Sequence, residues 1–503
     1  MTLGVAVLPD DLALVLASFR GPVVFDRDEA GERTQTRGPG GLVTALSGVA
    51  TAHAPTTWVC AASSPEDEVV AGEAGEQPVD ADGIDVRLVA LDHDASALAY
   101  GVIANPLLWF VQHGLWGHAD APVLTQEHHE AWEHGYRPVN AAMADAVVAE
   151  VRRVAGPAGR ALVLVQDYHL YLLPRLVRDA CPEVVLTHFV HIPWPGPDAW
   201  RVLPPAWLEE LLDGLLGADV VAFHTEGNAR DFLLCVQELL GLVVDLEAMS
   251  VTVGERTVRS RHYPISIDTA ALEAQAATPE VDALAQGLRA THLAGDHRLL
   301  LRVDRTDPSK NIVRGFAAFA TLLEAHPEWL ERVTFLALLQ PSRTDVDEYG
   351  DYIRAIGAAA AEVNARHAVG TWQPVDLRFV SHLPLALAAY RVCDVLVVNA
   401  LADGMNLVAK EACLLNERDM VLALSLGTGA HAELGAFAVT LTPFDIAQQA
   451  EALHEALSMP AQIRRDRLGA AAAVVRHNDV DAWLSAQIAD LGLAAPPAGS
   501  GRA

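Results

Sequence analysis

The chain has 503 residues, of which 51% are hydrophobic and 20% are charged. A chain of this length suits two folded domains of roughly 200 to 250 residues each. The 35 basic and 65 acidic residues give a formal charge of −30, which argues against a nucleic-acid or anionic-membrane partner because such partners bind basic surfaces. Any phosphate site must therefore be a local basic pocket in an acidic protein.

The five cysteines are scattered, odd in number and set mostly in apolar runs. This usage is typical of reduced, buried thiols in a cytosolic protein, and the spacing does not suit zinc. The N-terminus lacks a basic segment followed by a small-residue cleavage site, and no apolar run reaches about 18 residues without a charge or a turn. We therefore predict a soluble, cytoplasmic protein without a bound metal.

The first predicted strand is an apolar run at residues 12–17, and it leads into Arg20. Arg20 then lies at the carboxyl end of a strand, where open α/β sheets bind ligands. Residues 21–39 are polar and predict a flexible loop or a hairpin that closes on a glycine-rich turn with Gly40 and Gly41. Such a turn before a helix lets a phosphate approach the backbone closely.

An aromatic-rich stretch follows, with Tyr100 and Trp109 at helical spacing. Aromatic residues in this pattern are more often part of a core than of a binding site. Asp145 lies inside a helical pattern of alanine and valine, where a carboxylate either faces solvent or is buried for a purpose. The residues alone leave both interpretations open at Trp109 and at Asp145.

Three apolar strands come next, separated by segments of helix length. This series predicts right-handed βαβ units and a parallel sheet. Histidines follow the strands and would line one rim of the sheet: His169, His191 and His224. For any one of them a structural role is more common than a catalytic one.

The second domain opens with an apolar strand at residues 299–303 and a turn that contains Arg305 and Lys310. These two cations, five residues apart across a turn with a proline, can converge at the N-terminus of a helix. Two converging cations beside free backbone amides suit a diphosphate. An equally good interpretation pairs them with the neighbouring Asp304 and Asp307.

A further strand at residues 394–398 runs into a tight turn and a helix. Asp403 is a favourable N-cap and Gly404 allows a sharp turn, so we expect the amides of residues 405–407 to point outward as free donors. A helix N-terminus of this kind attracts phosphate. Arg343 follows another predicted strand of the same domain.

Nearly every candidate residue thus falls at the carboxyl end of a strand, in both halves of the chain. This pattern predicts an α/β fold of two doubly wound Rossmann-like domains that face each other across a cleft. The predicted segments are a first domain at 1–268, a second domain at 269–475, a terminal helix at 476–493 and a disordered tail at 494–503.

Together these motifs resemble the trehalose-6-phosphate synthases of glycosyltransferase family 20, in an actinobacterial-type form, over residues 14–491. These enzymes are retaining glycosyltransferases of the two-Rossmann-domain (GT-B) type. The matching segments are 18–20, 40–42, Tyr100 with Asn105 and Trp109, 139–145, 166–170, 191–195, 305–310, 341–343 and 403–411. In this family the terminal helix crosses back onto the first domain.

The resemblance implies transfer of glucose from UDP-glucose or GDP-glucose to glucose 6-phosphate, giving α,α-trehalose 6-phosphate, with no cofactor and no protein-bound metal. The implied catalytic residues are Arg305, Lys310, His169 and Asp403. The implied nucleotide-sugar site draws on residues of both predicted domains. It comprises Gly40, Gly41, His169, Arg305, Lys310, His382, Asp403, Met405, Asn406, Leu407, Val408, Ala409, Lys410 and Glu411. The implied acceptor site comprises Arg20, Tyr100, Trp109, Asp145 and Arg343.

Three departures from the family pattern concern the donor. The usual Arg-Leu-Asp-Tyr-Ser-Lys-Gly reads Arg-Thr-Asp-Pro-Ser-Lys-Asn at 305–311, which keeps both cations and changes the turn. Ala402 replaces an arginine, and His382 takes a position near the base that is usually aromatic. Uridine is the usual nucleotide of the family, and guanosine stays open.

Other activities fit parts of the same pattern. One is a pseudo-glycosyltransferase that joins cyclitols through nitrogen, whose pattern also carries Asp-Pro and Lys-Asn near the lysine but changes the segment that is intact here at 403–411. Another is a glucosylglycerol-phosphate synthase, and a third is a non-catalytic sugar-phosphate sensor. The sequence leaves the oligomeric state undecided, a homo-oligomer included.

Overall fold

The computed structural model describes residues 9, 12–38, 46, 56–116, 121–155, 160–343 and 347–493. The chain divides into two compact units, of which unit 1 is Met1–Ile265 with Val480–Ala503 and unit 2 is Ser266–Asp479. The predicted turn at Gly40 and Gly41 and the predicted tail lie outside the described residues. The units divide three residues before the predicted boundary at Asp268.

Unit 1 is built on a ten-stranded sheet and a separate hairpin. Its strands are β1 (Leu12–Ser18), β2 (Val23–Arg27), β3 (Arg33–Arg37), β4 (Thr56–Ala61), β5 (Val79–Ala81), β6 (Ile84–Val89), β7 (Arg160–Gln166), β8 (Val185–Phe189), β9 (Val220–Phe223), β10 (Val244–Asp245), β11 (Ser250–Val253) and β12 (Arg256–His262). The order in the large sheet is β10-β11-β12-β9-β8-β7-β1-β4-β6-β5. The seven strands from β12 to β6 are parallel, and antiparallel pairs close both edges.

The helices of unit 1 connect these parallel strands. They are α1 (Pro65–Ala74), α2 (His93–Leu98), a π-helix (Ala99–Leu108), α3 (Trp109–His113), α4 (Gln126–Ala131), a second π-helix (Trp132–Tyr136), α5 (Arg137–Ala155), α6 (Leu173–Ala180), α7 (Pro197–Trp200), α8 (Pro205–Leu215) and α9 (Glu226–Leu240). All seven residues of β1 are buried, as expected for a central parallel strand covered on both faces.

The polar stretch at 21–39 contains the antiparallel hairpin of β2 and β3. Glu66 at the start of α1 ties it down, because its carboxylate pairs with Arg27 Nε and Arg33 Nε at 2.7 Å each. The Phe25 N–H also donates to Asp67 Oδ1 at 2.7 Å. Of the two predicted alternatives, loop or hairpin, the hairpin is confirmed.

Unit 2 contains a six-stranded sheet in which every pair is parallel. Its strands are β13 (Arg298–Arg305), β14 (Val333–Gln340), β15 (Val375–Phe379), β16 (Val395–Val398), β17 (Val421–Ser425) and β18 (Val439–Leu441), in the order β15-β14-β13-β16-β17-β18. Its helices are α10 (Thr269–Ala276), α11 (Pro279–His292), α12 (Ile312–Ala325), α13 (Asp347–His367), α14 (Leu383–Val392), α15 (Leu407–Leu415), α16 (His431–Leu434), α17 (Ile446–Ser458) and α18 (Ala461–His477). The predicted α/β fold class is confirmed.

The last helix, α19 (Val480–Asp490), belongs to unit 1 although it follows unit 2 in the chain. Asp490 accepts hydrogen bonds from Arg261 Nε at 3.1 Å and from the Tyr263 hydroxyl at 2.7 Å. The ring of Trp483 packs edge-on against Phe189, with 5.2 Å between ring centroids. These contacts hold the end of the described chain against the β8 and β12 region of unit 1.

Within the part of the chain that the structure describes, one helical stretch, His93–His113, is long and apolar enough to cross a membrane by length and composition alone. In its most apolar window, 56% of the residues are buried inside the protein. Such burial is typical of a core helix in a globular domain, so the stretch is weak evidence for a membrane span.

Candidate active site

A cluster of aromatic and polar side chains lies at the carboxyl ends of β1 and β7 in unit 1; we call it the unit 1 cluster. Its members are Phe19, Arg20, Tyr100, Asn105, Trp109, Tyr168 and His169. The rings of Phe19, Tyr100 and His169 stack nearly parallel, with centroids 5.1 to 5.8 Å apart. Arg20 Nη2 donates to the Tyr100 hydroxyl, and its guanidinium lies 5.6 Å from the centre of that ring. The structure therefore joins a cation, a phenol and an imidazole that the sequence placed on separate elements.

Trp109 supports this cluster from inside the fold. It is 5% exposed, its ring stacks on His113 at 4.0 Å, and it lies 5.6 Å from the ring of Tyr168. The Tyr168 hydroxyl donates to Asn105 Oδ1 at 2.7 Å. Trp109 thus packs as a core residue directly behind the cluster, so the two interpretations of its sequence pattern are compatible.

The backbone is strained immediately before His169. Asp167 has φ 72° and ψ 173°, a region that is essentially restricted to glycine and costs about 1–3 kcal/mol for other residues. Three contacts with the next strand hold it there: its N–H donates to Phe189 O at 2.7 Å, its Oδ1 accepts from the His191 N–H at 3.2 Å, and its carbonyl lies 3.2 Å from His188 Nε2. The surrounding fold therefore fixes the turn that presents His169.

Asn140 is the principal anchor of that turn, although no separate role was predicted for it within the matching segment 139–145. It is fully buried on α5, and its Nδ2 donates to the carbonyl of His169 at 3.1 Å. Its Oδ1 accepts from the backbone amides of Leu172 and Leu173 at 3.1 and 3.2 Å. The sequence does contain a pattern that could have indicated this role, because Asn140 lies among the apolar residues of a predicted helix. A buried amide side chain in such a position needs hydrogen-bond partners.

Two of the five predicted acceptor residues lie on segments that carry no member of this cluster. Asp145 is exposed on α5, five residues after Asn140, and at about 100° per residue it points roughly 140° away from the helix face that carries Asn140. Arg343 belongs to unit 2. There it has φ 53°, and its Nη1 lies 3.4 Å from Asp307 Oδ2.

In unit 2, Lys310 and Asp403 form an ion pair in which both side chains are largely buried. Asp403 Oδ2 also accepts from Asn406 Nδ2 at 3.0 Å. The loop that carries Lys310 is joined to the loop of Asp403, because Leu401 N–H donates to Ser309 O at 2.7 Å. The predicted pairing of Lys310 with Asp304 or Asp307 is replaced by this pair, while Asp304 lies 3.2 Å from Arg302 Nε.

The helix after Asp403 begins later than predicted. Asn406, with φ 78°, is the N-cap, and its side chain accepts from the Ala409 N–H at 3.0 Å. Asp403 is therefore not the N-cap. Residues 403–405 run beside the glycine turn instead, since Asp403 N–H donates to Gly427 O at 2.9 Å and Met405 O accepts from Ala430 N–H at 2.8 Å. The amides without intrahelical acceptors at this end are those of Leu407 and Val408.

The side chains of Lys410 and Glu411 both face protein groups. Lys410 is 1% exposed, pairs with Glu433 at 2.6 Å, and has its pKa lowered by burial. Its ammonium therefore joins α15 to α16, and its implied part in nucleotide binding stays a prediction. Burial raises the pKa of Glu411, whose carboxylate accepts a hydrogen bond from the Tyr390 hydroxyl. His382, at the start of α14, lies 3.3 Å from Glu280 and is 40% exposed.

The altered turn at 305–311 has its last residue in a backbone region that glycine enters freely and most other residues avoid. Asn311 has φ 58°, in the left-handed region that asparagine tolerates better than most residues. Its Nδ2 donates to Asn399 O at 3.0 Å and to Pro443 O at 2.7 Å. At this position the two buried hydrogen bonds of Asn311 stabilise a backbone conformation that glycine would adopt without them.

Asn311→Ala is expected to destabilise unit 2 by about 3 kcal/mol, because it leaves two carbonyls unpaired and puts a Cβ without a polar group in the left-handed region. Asn311→Gly is the matched control, since it loses the same hydrogen bonds but accepts the backbone angle. Urea unfolding of both variants checks this expectation. An equal loss in the two variants would contradict the role given to the backbone angle.

Among the described residues, one group of three side chains could supply ligands for a metal ion: His326, Glu328 and His454. The two imidazoles stack in parallel with centroids 3.6 Å apart, so their nitrogen lone pairs do not point at a common position. Trp329 Nε1 also donates to His454 Nδ1 at 3.1 Å. The group packs as a structural contact between the end of α12 and α17.

Parallel α/β sheets in both units, with cations and carboxylates at the carboxyl ends of their strands, are features of a two-domain glycosyltransferase. The family model of glycosyltransferase family 20 matches residues 13–492, and the chain belongs to this family. The resemblance seen in the motifs is thereby confirmed.

Curated relatives extend over most of the chain. A bifunctional trehalose-6-phosphate synthase/phosphatase of Thermoproteus tenax is 36% identical over 405 residues, which cover 80% of this chain and 52% of that protein, so the chain spans about half its length. The trehalose-6-phosphate synthase of Mycobacterium marinum is 32% identical over 94% of this chain and 92% of its own. A validamine 7-phosphate valienyltransferase of Streptomyces hygroscopicus subsp. jinggangensis is 31% identical over 94% and 93%.

Solved structures are similar over nearly the whole chain. An α,α-trehalose-phosphate synthase (UDP-forming) from Burkholderia vietnamiensis has a TM-score of 0.78 and 28% identity, and covers 95% of this chain and 99% of its own. A structure from E. coli bound with UDP-2-fluoro glucose has a TM-score of 0.80 and 27% identity, and covers 96% of this chain and 100% of its own.

Proposed function

We propose that this protein moves glucose from a nucleotide sugar to glucose 6-phosphate, with retention, and forms α,α-trehalose 6-phosphate. The observation that carries the proposal is the Lys310–Asp403 pair beside the N-terminus of α15. Lys310 and Arg305 both act electrostatically on Asp304, so the two cations lie near one another. Such a group suits a diphosphate whose negative charge rises as it leaves.

Relatives support the two substrates. Trehalose-6-phosphate synthases from mycobacteria are more than 30% identical to this chain over more than 90% of its length. The E. coli relative is bound with UDP-2-fluoro glucose, and a Burkholderia xenovorans relative is in complex with glucose 6-phosphate. We assign the donor to unit 2 and the acceptor phosphate to Arg20 and Tyr100 of unit 1.

In the proposed reaction the bond between the anomeric carbon and the diphosphate oxygen breaks, and a bond to the acceptor hydroxyl oxygen forms on the same face. The acceptor proton passes to the leaving diphosphate. Arg305, Lys310 and the amides of Leu407 and Val408 stabilise the charge that develops on the diphosphate. Positioning and electrostatic stabilisation then account for most of the catalysis.

The donor base is either uracil or guanine. His382 and Glu280 form an exposed pair at the start of α14. An imidazole can stack on either base, and a carboxylate can accept hydrogen bonds from the N–H groups of either one, which are N1–H and the 2-amino group in guanine and N3–H in uracil. The pair therefore keeps guanosine as an alternative to the uridine of the solved relatives.

A second candidate function is coupling of cyclitols through nitrogen. It is favoured by the 31% identity to a valienyltransferase over 490 residues and by the Asp-Pro and Lys-Asn pairs at 307–311. The segment at 403–411 argues for glucose, because it keeps the Asp-Gly-Met-Asn-Leu-Val-Ala-Lys-Glu pattern that the cyclitol enzyme changes.

The five cysteines are free thiols, and four of them are buried. Because free thiols persist in reducing compartments, this supports the proposed cytoplasmic location. Detection of the native protein in the cytosolic fraction, with all five thiols titratable after unfolding, is the expected result.

The deciding experiment offers UDP-glucose and GDP-glucose separately, each with glucose 6-phosphate, glycerol 3-phosphate or an aminocyclitol phosphate, and identifies products by mass. Trehalose 6-phosphate as the main product supports the proposal. A glucosylglycerol phosphate or a nitrogen-linked compound as the main product would contradict the proposal and support the corresponding alternative activity. No turnover with any donor and acceptor pair would indicate a sugar-phosphate sensor.

The donor site should bind its substrate more tightly in mild acid. Burial raises the pKa of Asp304 to about 6, while Arg302, Lys310 and Arg305 lower that pKa and Asp403 raises it. Below that pH the Asp304 carboxylate is neutralised, so the net charge of the site becomes more positive by one. The diester phosphates of a nucleotide sugar keep their negative charges over the same pH range. We expect the KM for the nucleotide sugar to fall by about threefold to tenfold between pH 7.5 and pH 5.5, roughly 1 kcal/mol at the effective dielectric of a protein surface.

Asp304→Asn mimics the protonated carboxyl and is the control for this pH dependence. Its KM for the nucleotide sugar should be low at both pH values. A variant that keeps the full pH dependence of the native protein would show that another group is responsible.

A further inference from the structure

The strand β13 carries a fully buried cation. Arg302 lies in the middle of an otherwise apolar segment of the sheet, and its side chain is 0% exposed. A guanidinium removed from water is costly unless hydrogen bonds and a counter-charge compensate it. Arg302 was given no role by the sequence, so its contacts decide what it does.

Those contacts reach three segments of the donor site. Arg302 Nη2 donates to Asn399 Oδ1 and lies 3.4 Å from the carbonyl oxygen of Lys310. Its Nε lies 3.2 Å from Asp304 Oδ2, two residues along the same strand and therefore on the same face. Asn399 follows the strand that leads to Asp403, and Asp304 precedes Arg305, so one guanidinium contacts the segments that carry Arg305 and Lys310 and the strand end before Asp403.

The polar groups behind Arg302 extend this connection. Asn399 Nδ2 donates to Gln449 Oε1 at 2.8 Å and to Asn311 O at 3.2 Å. Gln449 in turn donates to Pro443 O at 3.0 Å, which also accepts from Asn311 Nδ2. The network is fully buried, and a connected network of this kind fixes its members in one arrangement.

Gly315 on α12 makes room for the guanidinium. A Cβ placed at Gly315 would lie 3.0 Å from Arg302 Nη1 and 3.2 Å from Asn399 Nδ2, closer than nearly all such contacts. The helix and the arginine therefore fit each other, and a single added methyl group would displace the charge without removing it.

We propose that Arg302 is a positioning residue for the donor site: its buried guanidinium holds the backbone of Lys310, the Asn399 strand end and Asp304 in register, and adds a fixed positive charge behind the diphosphate. The inference rests on the proposed function. It explains why a cation is kept inside a strand whose neighbours are apolar.

Four variants test this role: Arg302→Met, Arg302→Lys, Gly315→Ala and, as a matched control, Arg464→Met. Arg464 is also a largely buried arginine of unit 2, and its guanidinium donates to the carbonyls of Asp419 and Arg418 before β17, at the other end of the strands. The readouts are kcat, the KM for each substrate and the thermal midpoint.

Arg302→Met should lower kcat with the nucleotide sugar by about a hundredfold, as expected for a misplacement near 1 Å, and leave the KM for glucose 6-phosphate within about twofold. Arg302→Lys should recover at least tenfold of that loss. Gly315→Ala should shift kcat in the same direction as Arg302→Met by a smaller factor. Arg464→Met should lower the thermal midpoint and keep kcat.

A folded Arg302→Met with the kcat of the native protein overturns the proposal, as does Arg302→Lys with no recovery over Arg302→Met. If Arg302→Met does not fold, Gly315→Ala decides, and an unchanged kcat there overturns the proposal. Absence of transfer by the native protein refutes the proposed function instead. Calorimetry with UDP and GDP then tests Arg302, and equal affinity in the native and variant proteins overturns its role.

Discussion

Lys310→Ala is expected to lower kcat by about a hundredfold to a thousandfold, close to 3–4 kcal/mol of barrier, while the protein stays folded. The Lys310 ammonium pairs with Asp403 in a largely buried position, so it is fixed before the substrate arrives. The same loss is expected for Arg305→Ala, because both cations would stabilise charge that develops only as the diphosphate leaves. Both variants should keep the native circular dichroism spectrum.

Arg314→Ala is the matched control, because Arg314 lies one helical turn beyond Lys310 and contacts Asn311 Oδ1 at 3.0 Å and the Phe444 ring. It should keep kcat within about twofold, as surface changes usually do. Steady-state rates with saturating donor and acceptor check all three variants. Full activity of Arg305→Ala or Lys310→Ala would remove the diphosphate assignment.

The strands and their order along the chain could be predicted because apolar runs mark buried parallel strands. This prediction is confirmed for β1 and β13, which contain the apolar runs at 12–17 and 299–303. The candidate residues at their ends followed from the rule that ligands bind at the carboxyl ends of parallel strands. Asp145 lies within a helix instead, where periodicity does not tell which face of α5 meets the binding residues, so its assignment stays a prediction.

Other features depend on contacts between distant segments, and a local pattern does not contain them. Asp403 was predicted to be the N-cap of α15. Its backbone instead bonds to the loop at Gly427, and the N-cap is Asn406. Lys410 is implied to bind the nucleotide, and its pair with Glu433 from a later helix could not be predicted from the local pattern. Arg302 read as one polar residue in an apolar strand, and its role depends on Asn399, which is 97 residues away.

Arg20→Ala is expected to raise the KM for glucose 6-phosphate by about tenfold to a hundredfold, because a charge-assisted bond to phosphate contributes roughly 1.5–3 kcal/mol. Arg20 is exposed at the end of β1 and held by the Tyr100 hydroxyl, so its loss should leave the buried strand intact. Tyr100→Phe keeps the stacking on Phe19 and His169, and should show a smaller rise in the same KM.

The most direct control compares glucose 6-phosphate with glucose as the acceptor, because the two differ only in the phosphate. If Arg20 binds that phosphate, Arg20→Ala should lose its preference for glucose 6-phosphate over glucose while its rate with glucose equals that of the native protein. Arg152→Ala, an exposed arginine of α5 that contacts the carbonyl of Ala180, should keep the preference. A rate that falls equally with both acceptors would mean that Arg20 supports the fold of the unit 1 cluster and does not bind the phosphate.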